Sequence, residues 1–195
     1  MNYQKELDKI IETLTFRPSL LLHSCCAPCS SYCIHYLKDY FDITVLYYNP
    51  NIEPITEYHK RKEEQIRLCN IFNIPILDCD YDNDLFHEIV CGLESEKEGG
   101  SRCFKCYELR LRKTASLASG FDYFGTTLTV SPFKNSNKLN EIGLSLAEEY
   151  HIPYLVSDFK KKEGYKKSIE FSKKYNLYRQ DFCGCIYSKR EKVCE

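Results

Sequence analysis

Several sequence features are missing from this chain, and each absence excludes a class of protein. No apolar run approaches the roughly 20 residues that a membrane-spanning helix needs. The first residues, 1–17, are amphipathic and include acidic side chains, so they do not resemble a secretion signal. We therefore expect a soluble protein that stays in the cytoplasm.

The chain also lacks the composition changes that usually separate domains. No stretch rich in Pro, Gly or Ser divides the 195 residues, and the chain has neither an internal repeat nor a low-complexity tract. With 43% hydrophobic residues, it is long enough to bury one core of good size. We predict a single domain over residues 1–195.

Familiar nucleotide and zinc motifs are absent as well. The chain has neither the G-x-x-x-x-G-K-[ST] loop nor the G-x-G-x-x-G loop, both of which cradle phosphates. Its five histidines show no metal-ligand spacing such as H-E-x-x-H, and each is more easily explained as a polar or hydrogen-bonded residue. His23 is the exception we keep, because it lies two residues before a group of cysteines.

Charge is balanced over the whole chain but not along it. The formal net charge is -1, yet residues 158–195 hold eleven Lys and Arg against six Asp and Glu. The lysines at 160–162, 166, 167, 173 and 174 stand among Tyr165, Tyr175 and Tyr178. Such a segment either binds a phosphate backbone while its rings stack on bases, or is a solvated helix face. The charge pattern alone favours the solvated face.

Short apolar runs alternate with helical patterns along the chain. Strands are predicted at 20–24, 43–49, 74–80, 122–129 and 152–158, and helices near the start, at 55–72, at about 82–92 and from about Cys103 to Gly120. This alternation predicts an α/β fold, a mostly parallel sheet flanked by helices, because parallel strands need crossovers. Residues just after the strands should meet at the carboxyl edge of the sheet, where ligands bind.

Twelve cysteines are the most informative feature. In a reducing compartment, a cysteine cluster indicates metal binding or catalysis rather than disulfides. Cys25 and Cys26 follow a buried strand, and Cys103 and Cys106 form a C-x2-C at a helix start, a spacing that lets two sulfurs bind one metal or one cluster. Four thiolates satisfy zinc or a four-iron cluster, and the adjacent pair favours the cluster.

Two cysteines near the end of the chain form a second group, Cys183-Gly184-Cys185. Residues two apart cannot share one face of a helix, and the glycine between them relaxes the backbone. The pair is therefore suited to closing a strained disulfide or to binding a metal, and we predict a functional role for it.

The remaining cysteines carry weaker predictions. The role of Cys29 stays open: it is a metal ligand, a thiol that supports the ligands, or a residue at a helix start that faces the site. Packing explains the four that lie beside apolar neighbours, which are Cys33, Cys69, Cys79 and Cys91. Cys194 is assigned no role.

Five motifs, taken in order, resemble the QueH family of epoxyqueuosine reductases over about residues 20–190, which leaves 1–19 as an N-terminal addition. The motifs are LLLHSCCAPC at 20–29, YYNPNIEPITEY at 47–58, RCFKCYELRL at 102–111, FGTTLTVSPFKN at 124–135 and YRQDFCGCIYSKR at 178–190. The resemblance implies a HUP-type α/β domain, similar to the Rossmann fold. It also implies reduction of epoxyqueuosine to queuosine at the wobble position of tRNA, without cobalamin.

The same resemblance implies roles for six cysteines. Cys25, Cys26, Cys103 and Cys106 would hold a [4Fe-4S] cluster, and Cys183 with Cys185 would be a redox-active pair. The expected partners are the modified tRNA and an electron donor of unidentified kind, and no membrane is involved.

Removal of an epoxide oxygen also needs an acid or a metal that polarises this oxygen. Asp158, at the end of the last predicted strand, is our first candidate for the acid, and Tyr107 and His23 are weaker ones. A second metal ion, iron or zinc, held by Asp158 with Cys183 or Cys185 is a further hypothesis.

Two other functions fit parts of the pattern. An ATP-using tRNA thiolation enzyme of a related fold can also carry a cluster, but this chain lacks an S-G-G-x-D-S-type pyrophosphate loop. A zinc-holding nucleic-acid binding module without catalysis is the second alternative.

Overall fold

The computed structural model of this protein describes the backbone of residues 1–193 and the side chains of residues 1–189, so Cys194 lies outside the described residues. The described helices are α1 (Tyr3–Thr13), α2 (Ala27–Leu37), α3 (Ile55–Phe72), α4 (Asn83–Val90), α5 (Ser101–Leu117), α6 (Ser136–Tyr150), α7 (Gly164–Lys174) and α8 (Ile186–Val193). The strands are β1 (Ser19–His23), β2 (Asp42–Leu46), β3 (Ile76–Leu77) and β4 (Tyr123–Thr126). Short 3-10 helices cover Leu128–Val130 and Lys161–Glu163.

The four strands form one parallel sheet in the order β3, β2, β1, β4. His23 at the end of β1 is level with Leu46 of β2 and with Thr126 of β4. The strand order therefore reverses between β1 and β4, and sheets of this kind bind ligands in the crevice beyond such a reversal. The predicted α/β architecture, with a parallel sheet flanked by helices, is confirmed.

Alternate side chains of β1 enter two separate core layers, as the pleat of a strand requires. Leu20 and Leu22 pack with residues of α2 on one face, and Leu21 packs with residues of α5 on the other. α7 packs on α2, and α6 packs on α5. Burial on both faces explains why the centre of β1 is three consecutive leucines, at 20–22.

The fifth predicted strand, 152–158, is wrong as a strand. Tyr154 forms one isolated bridge to Phe124 of β4. Pro153 has no N–H to give to a ladder. Beyond it, the Asn140 side chain accepts from the Ser157 backbone N–H at 3.0 Å and donates to the Ser157 carbonyl at 2.9 Å. A side chain of α6 thus replaces the neighbouring strand.

The other elements follow the prediction with shifted ends. The helix predicted over Ile55–Phe72 is confirmed at both bounds and stops at Asn73, whose φ of 53° is a left-handed geometry that asparagine tolerates. The strand predicted at 74–80 keeps two residues, because Asp78 Oδ1 accepts from the Cys79 backbone N–H at 2.8 Å and this local bond competes with the ladder. Among the described helices, none has the length and apolar character that a membrane span requires.

Asn140 offers a test of this packing. We expect Asn140→Ala to lower the free energy of unfolding by about 1–3 kcal/mol, because both backbone groups of Ser157 then lose their partner while buried. Urea titration would measure the change. Asn137→Ala, at an exposed position of the same helix, is the control and should leave the midpoint nearly unchanged. Equal stability of the two variants would contradict this account.

Candidate active site

Three thiols meet where β1 gives way to α2. The sulfur atoms of Cys25, Cys26 and Cys29 all lie within 4.8 Å of one another, and those of Cys25 and Cys26 are 3.8 Å apart. Cys26 is the N-cap of α2 with an extended backbone, Pro28 lies in the first turn, and Cys29 follows on the same turn. The strand end, the cap and the helix turn together aim three sulfurs at one point, and this point lies in the crevice between β1 and β4.

The three thiols do not ionise alike. Hydrogen bonds from Cys25 and Cys29 hold the pKa of Cys26 well below its usual value, against the effect of burial. The same contacts raise the pKa of Cys29 well above its usual value, and burial adds to this. The N-terminal dipole of α2 also favours a thiolate at the cap. Cys26 is therefore the first of the three to ionise, while Cys29 keeps its proton.

The C-x2-C pair lies in the first two turns of α5. The Cys103 sulfur is half-buried and accepts from the Gly99 backbone N–H at 3.3 Å. Cys106 is buried in a small cluster with Cys185, and burial raises its pKa to about 11. Among the described side chains, Cys29 has its sulfur within 4.8 Å of those of both Cys25 and Cys26, although the sequence left its role open. Neither Cys103 nor Cys106 joins this group.

Cys183, Gly184 and Cys185 form a tight loop before α8. Gly184 has a φ of 116°, which favours glycine, and a Cβ there would lie 2.8 Å from Arg61 Nη1 and 3.0 Å from Ile52 Cγ1. The carbonyl of Gly184 accepts from the Glu53 backbone N–H at 2.9 Å. Both cysteines are free thiols. The glycine is required for the loop conformation and also for the close approach of Arg61.

Lys134 connects the two thiol groups electrostatically. Its Nζ donates to the Cys183 sulfur at 3.2 Å, and its charge also acts on Cys25, Cys103 and Cys106. Burial alone would lower the pKa of Lys134, but the Cys183 thiolate beside it raises the pKa well above the usual value. The ammonium therefore stays charged at the centre of the thiols.

The two sulfurs of the loop divide into a thiolate and a thiol. The hydrogen bond with Cys185 holds the pKa of Cys183 well below its usual value, and Lys134 acts in the same direction against the effect of burial. The same bond, together with burial, raises the pKa of Cys185. A reactive thiolate thus stands beside a thiol that keeps its proton, which is the arrangement that thiol–disulfide chemistry uses.

Arg61 on α3 fixes the backbone of this loop. Its buried guanidinium donates from Nη1 to the Cys183 carbonyl at 3.0 Å and from Nη2 to the Phe182 carbonyl at 3.5 Å. Nε donates to Glu57 Oε1 at 2.6 Å, so the buried charge is paired. The planar fork of arginine is what allows one side chain to hold two consecutive carbonyls.

A cavity of about 490 Å³ opens above these groups. Its volume lies within the range of small-molecule sites. Four basic side chains line it against two acidic ones. The basic residues are Arg61, Arg110, Lys134 and Arg179, and the acidic ones are Glu98 and Asp181. Such a site favours a ligand that carries negative charge.

The three acids considered from the sequence do not line the cavity. His23 is fully buried, and its ring contacts Thr126 Oγ1 at 3.1 Å and the Tyr48 carbonyl at 3.0 Å. Burial, together with the nearby Arg110 charge, lowers the pKa of His23 to about 4, so the ring is neutral. Tyr107 is buried, and burial raises its pKa to about 12. His23, Tyr107 and Asp158 are all absent from the lining of the cavity. Asp158 is instead near Lys160, with 3.8 Å between its Oδ1 and Lys160 Nζ.

Sequence reasoning missed Arg61, Arg110 and Lys134, although one signal was available. On α3, the buried positions Tyr58, Arg61, Gln65 and Leu68 recur every three or four residues. An arginine and a glutamine in the register of a buried helix face need partners inside the protein. That signal marks them as polar residues of a site but does not say which loop they hold.

Comparison with known proteins gives a consistent result. The family model described as epoxyqueuosine reductase QueH matches residues 20–191. The epoxyqueuosine reductase QueH of Streptococcus pyogenes serotype M1 is 43% identical over 97% of this chain and 79% of its own length. The protein of that name from Thermotoga maritima is 33% identical over 91% of this chain and 95% of its own length.

Two solved structures share the fold at low identity. The U34-tRNA thiolase NcsA from Methanococcus maripaludis, solved with its [4Fe-4S] cluster, matches 98% of this chain and 69% of its own with a TM-score of 0.56 and 14% identity. A predicted subunit of a tRNA methyltransferase from Methanocaldococcus jannaschii matches 77% of this chain and 76% of its own, with a TM-score of 0.53 and 14% identity. At such identity the likeness shows the fold alone, an α/β domain with a parallel sheet.

The role of Arg61 leads to a prediction about thiol reactivity. We expect Arg61→Lys to speed alkylation of Cys183 about tenfold, because lysine keeps the charge beside Glu57 but cannot hold both carbonyls, and the loop opens more often. Peptide mapping by mass spectrometry would follow the modification of each cysteine. Lys62→Gln, on the same helix and paired with Asp78, is the control and should react like the parent. An unchanged alkylation rate in Arg61→Lys would show that the loop does not depend on this side chain.

Proposed function

This chain belongs to the QueH family of epoxyqueuosine reductases, and from that premise we propose that it reduces epoxyqueuosine in tRNA to queuosine without cobalamin. The observation that carries the proposal is the gathering of ionisable thiols around Lys134, at the crevice where the strand order reverses. A reductase that works without cobalamin needs an electron source at its substrate cavity, and thiols with a thiol-held cluster are such a source.

The donor set suits a [4Fe-4S] cluster held by Cys25, Cys26, Cys103 and Cys106. A four-iron cluster with four thiolates carries net negative charge, and charge buried in a protein must be compensated. Arg110 is buried, and its Nη2 has no hydrogen-bond partner among the described residues, so it offers a free donor beside these cysteines. When bound, the cluster supplies electrons one at a time.

Cys29 supports the ligands in this proposal and does not replace one. Its raised pKa keeps it a thiol, and it hydrogen-bonds with Cys25 and Cys26. A thiol that donates its one S–H to the Cys26 thiolate orients this ligand and disperses its charge, as supporting hydrogen bonds do at metal sites. A second metal held by Asp158 with Cys183 or Cys185 stays a prediction.

The cysteine pair matches the electron demand of the reaction. Two C–O bonds of the epoxide break, one C=C bond forms, and the oxygen leaves as water, which takes up two electrons and two protons. Oxidation of the Cys183 thiolate and the Cys185 thiol to a disulfide releases two electrons and one proton, and the Lys134 ammonium supplies the second proton, so the two half-reactions balance. An external reductant must then restore the dithiol.

Lys134 is the proton donor that we propose for the leaving oxygen. Its ammonium lines the cavity and already donates to the Cys183 sulfur at 3.2 Å. Asp158 then has an indirect role, through Lys160. Its carboxylate lies 3.8 Å from Lys160 Nζ, and this Nζ donates to the Lys134 carbonyl at 3.1 Å, so Asp158 helps to position the loop that carries Lys134.

The thiolation alternative is less well supported. Its structural likeness rests on 14% identity, which carries the fold and no chemistry. Where such an enzyme needs a pyrophosphate loop after its first strand, this chain has Ser24-Cys25-Cys26. The deciding assay uses anaerobically reconstituted protein, tRNA that contains epoxyqueuosine and a strong reductant, and it measures loss of the epoxide nucleoside. If the epoxide persists while the protein holds its full complement of iron, the proposal is wrong.

The ligand set predicts a linked loss of iron and activity. Replacing Cys25, Cys26, Cys103 or Cys106 by Ala should reduce both together, because these four thiolates would hold the cluster. Iron analysis and the visible iron–thiolate absorbance would measure the cluster. Cys69→Ala and Cys91→Ala are the controls and should keep both properties. A variant with full iron and normal turnover would show that its cysteine is misassigned.

The cysteine pair makes the opposite prediction about metal content. Cys183→Ser and Cys185→Ser should each keep the fold and the iron, yet lower multiple-turnover activity with a thiol reductant at least about tenfold, since neither can form the disulfide. Thermal melting, iron analysis and product formation separate the three properties. Loss of a stoichiometric metal from either variant would instead make these sulfurs ligands of a second metal site.

A further inference from the structure

Phe133 is a feature of the cavity that the proposed chemistry leaves without a role. Its side chain is 71% exposed, and yet it lines the cavity. It immediately precedes Lys134, whose Nζ contacts Cys183 at the same cavity. A large apolar ring in water is unremarkable when it stands alone on a surface. Here the ring stands next to Lys134, the proton donor that we propose.

Hydrogen bonds fix the backbone of the turn that carries this ring. The Phe133 backbone N–H donates to Ser131 Oγ at 3.3 Å, and that of Lys134 donates to the Ser131 carbonyl at 3.3 Å. The Lys134 carbonyl accepts from Lys160 Nζ at 3.1 Å. Asn135 caps α6 through the Lys138 backbone N–H at 3.0 Å. The ring is therefore presented on an anchored turn.

Charge indicates the kind of partner that the ring meets. The surplus of basic side chains around the cavity is complementary to a phosphate backbone. On the same lining, the Arg179 guanidinium lies 5.3 Å from the centre of the Tyr165 ring. Aromatic rings among cations are what proteins use to bind single-stranded nucleic acid, because bases stack on the rings while cations meet the phosphates.

The reaction itself creates a need for such a ring. An enzyme that acts on a base must take this base out of its stack, and the unstacking costs energy. The neighbouring base, which stays in the strand, then has one face without a stacking partner. An exposed aromatic ring at the cavity replaces that partner and lowers the cost.

We propose that Phe133 is the platform on which a nucleobase next to the modified nucleotide stacks, within a single-stranded segment of tRNA. The inference rests on the proposed function, because it takes RNA as the substrate. It adds a determinant of substrate binding that lies outside the thiol groups.

The chain offers a direct spectroscopic test because it contains no tryptophan. Phe133→Trp places a single indole at the proposed platform, and we expect its fluorescence to be quenched when an unmodified anticodon stem-loop RNA binds. Phe16→Trp is the matched control. Phe16 is 65% exposed and precedes β1, so it lies toward the opposite edge of the sheet and should show no quenching.

Affinity gives the second measurement, with the same RNA. Phe133→Ala and Phe133→Leu should each bind it roughly five- to a hundred-fold more weakly, the loss expected when one base loses its aromatic partner. Phe133→Tyr should bind like the parent because it keeps the ring, and Phe16→Ala should also bind like the parent. Iron content should be equal in all of these variants.

The outcomes separate this inference from the proposed function. If Phe133→Trp is not quenched, or if Phe133→Leu binds as well as the parent, the platform is wrong even when the parent protein reduces the epoxide. If quenching and affinity follow the expectation but the parent reduces no epoxide, the proposed function fails and the RNA-binding platform stands.

Discussion

The parallel pairing of β1 between β2 and β4 is the constraint on which the site depends. The ladders continue one residue beyond β1 and β4, because the Ser24 N–H donates to the Leu46 carbonyl and the Thr127 N–H donates to the His23 carbonyl. The buried His23 ring then joins the ends of β2 and β4. With these ends fixed, Cys25 begins at a defined point beside the crevice, and α2 can start only where its first turn brings Cys29 back toward Cys25.

Burial forces the thiols to share protons unequally. Two thiols in contact cannot both ionise in a poorly solvated site, so in each group one sulfur is charged and a neighbouring sulfur keeps its proton. Cys26 and Cys183 take the charge, and Cys29 and Cys185 keep the proton. Lys134 makes this division tolerable at Cys183 because it supplies the opposite charge at hydrogen-bond distance.

Local patterns predicted much of the fold and singled out the cysteines of the candidate site. The buried run at 20–24 and the helix at 55–72 follow from apolar spacing, and the structure contains both. The strand predicted at 152–158 failed, because Asn140 lies twelve or more residues away along the chain and its side chain takes the backbone groups of Ser157. No local pattern reports a competitor that arrives from another helix.

The sequence by itself determined the alternation of strands and helices, the family to which its five motifs point, and the cysteines to which we assign the chemistry. Tertiary structure alone decided that Cys29 joins Cys25 and Cys26, that Lys134 binds Cys183, and that Arg61 holds the last loop. The physical reason is the separation along the chain of the residues that interact. Periodicity and spacing express forces between near neighbours in the chain, whereas Lys134 and Cys183 lie 49 residues apart and attract each other only after the sheet has placed their loops at one edge.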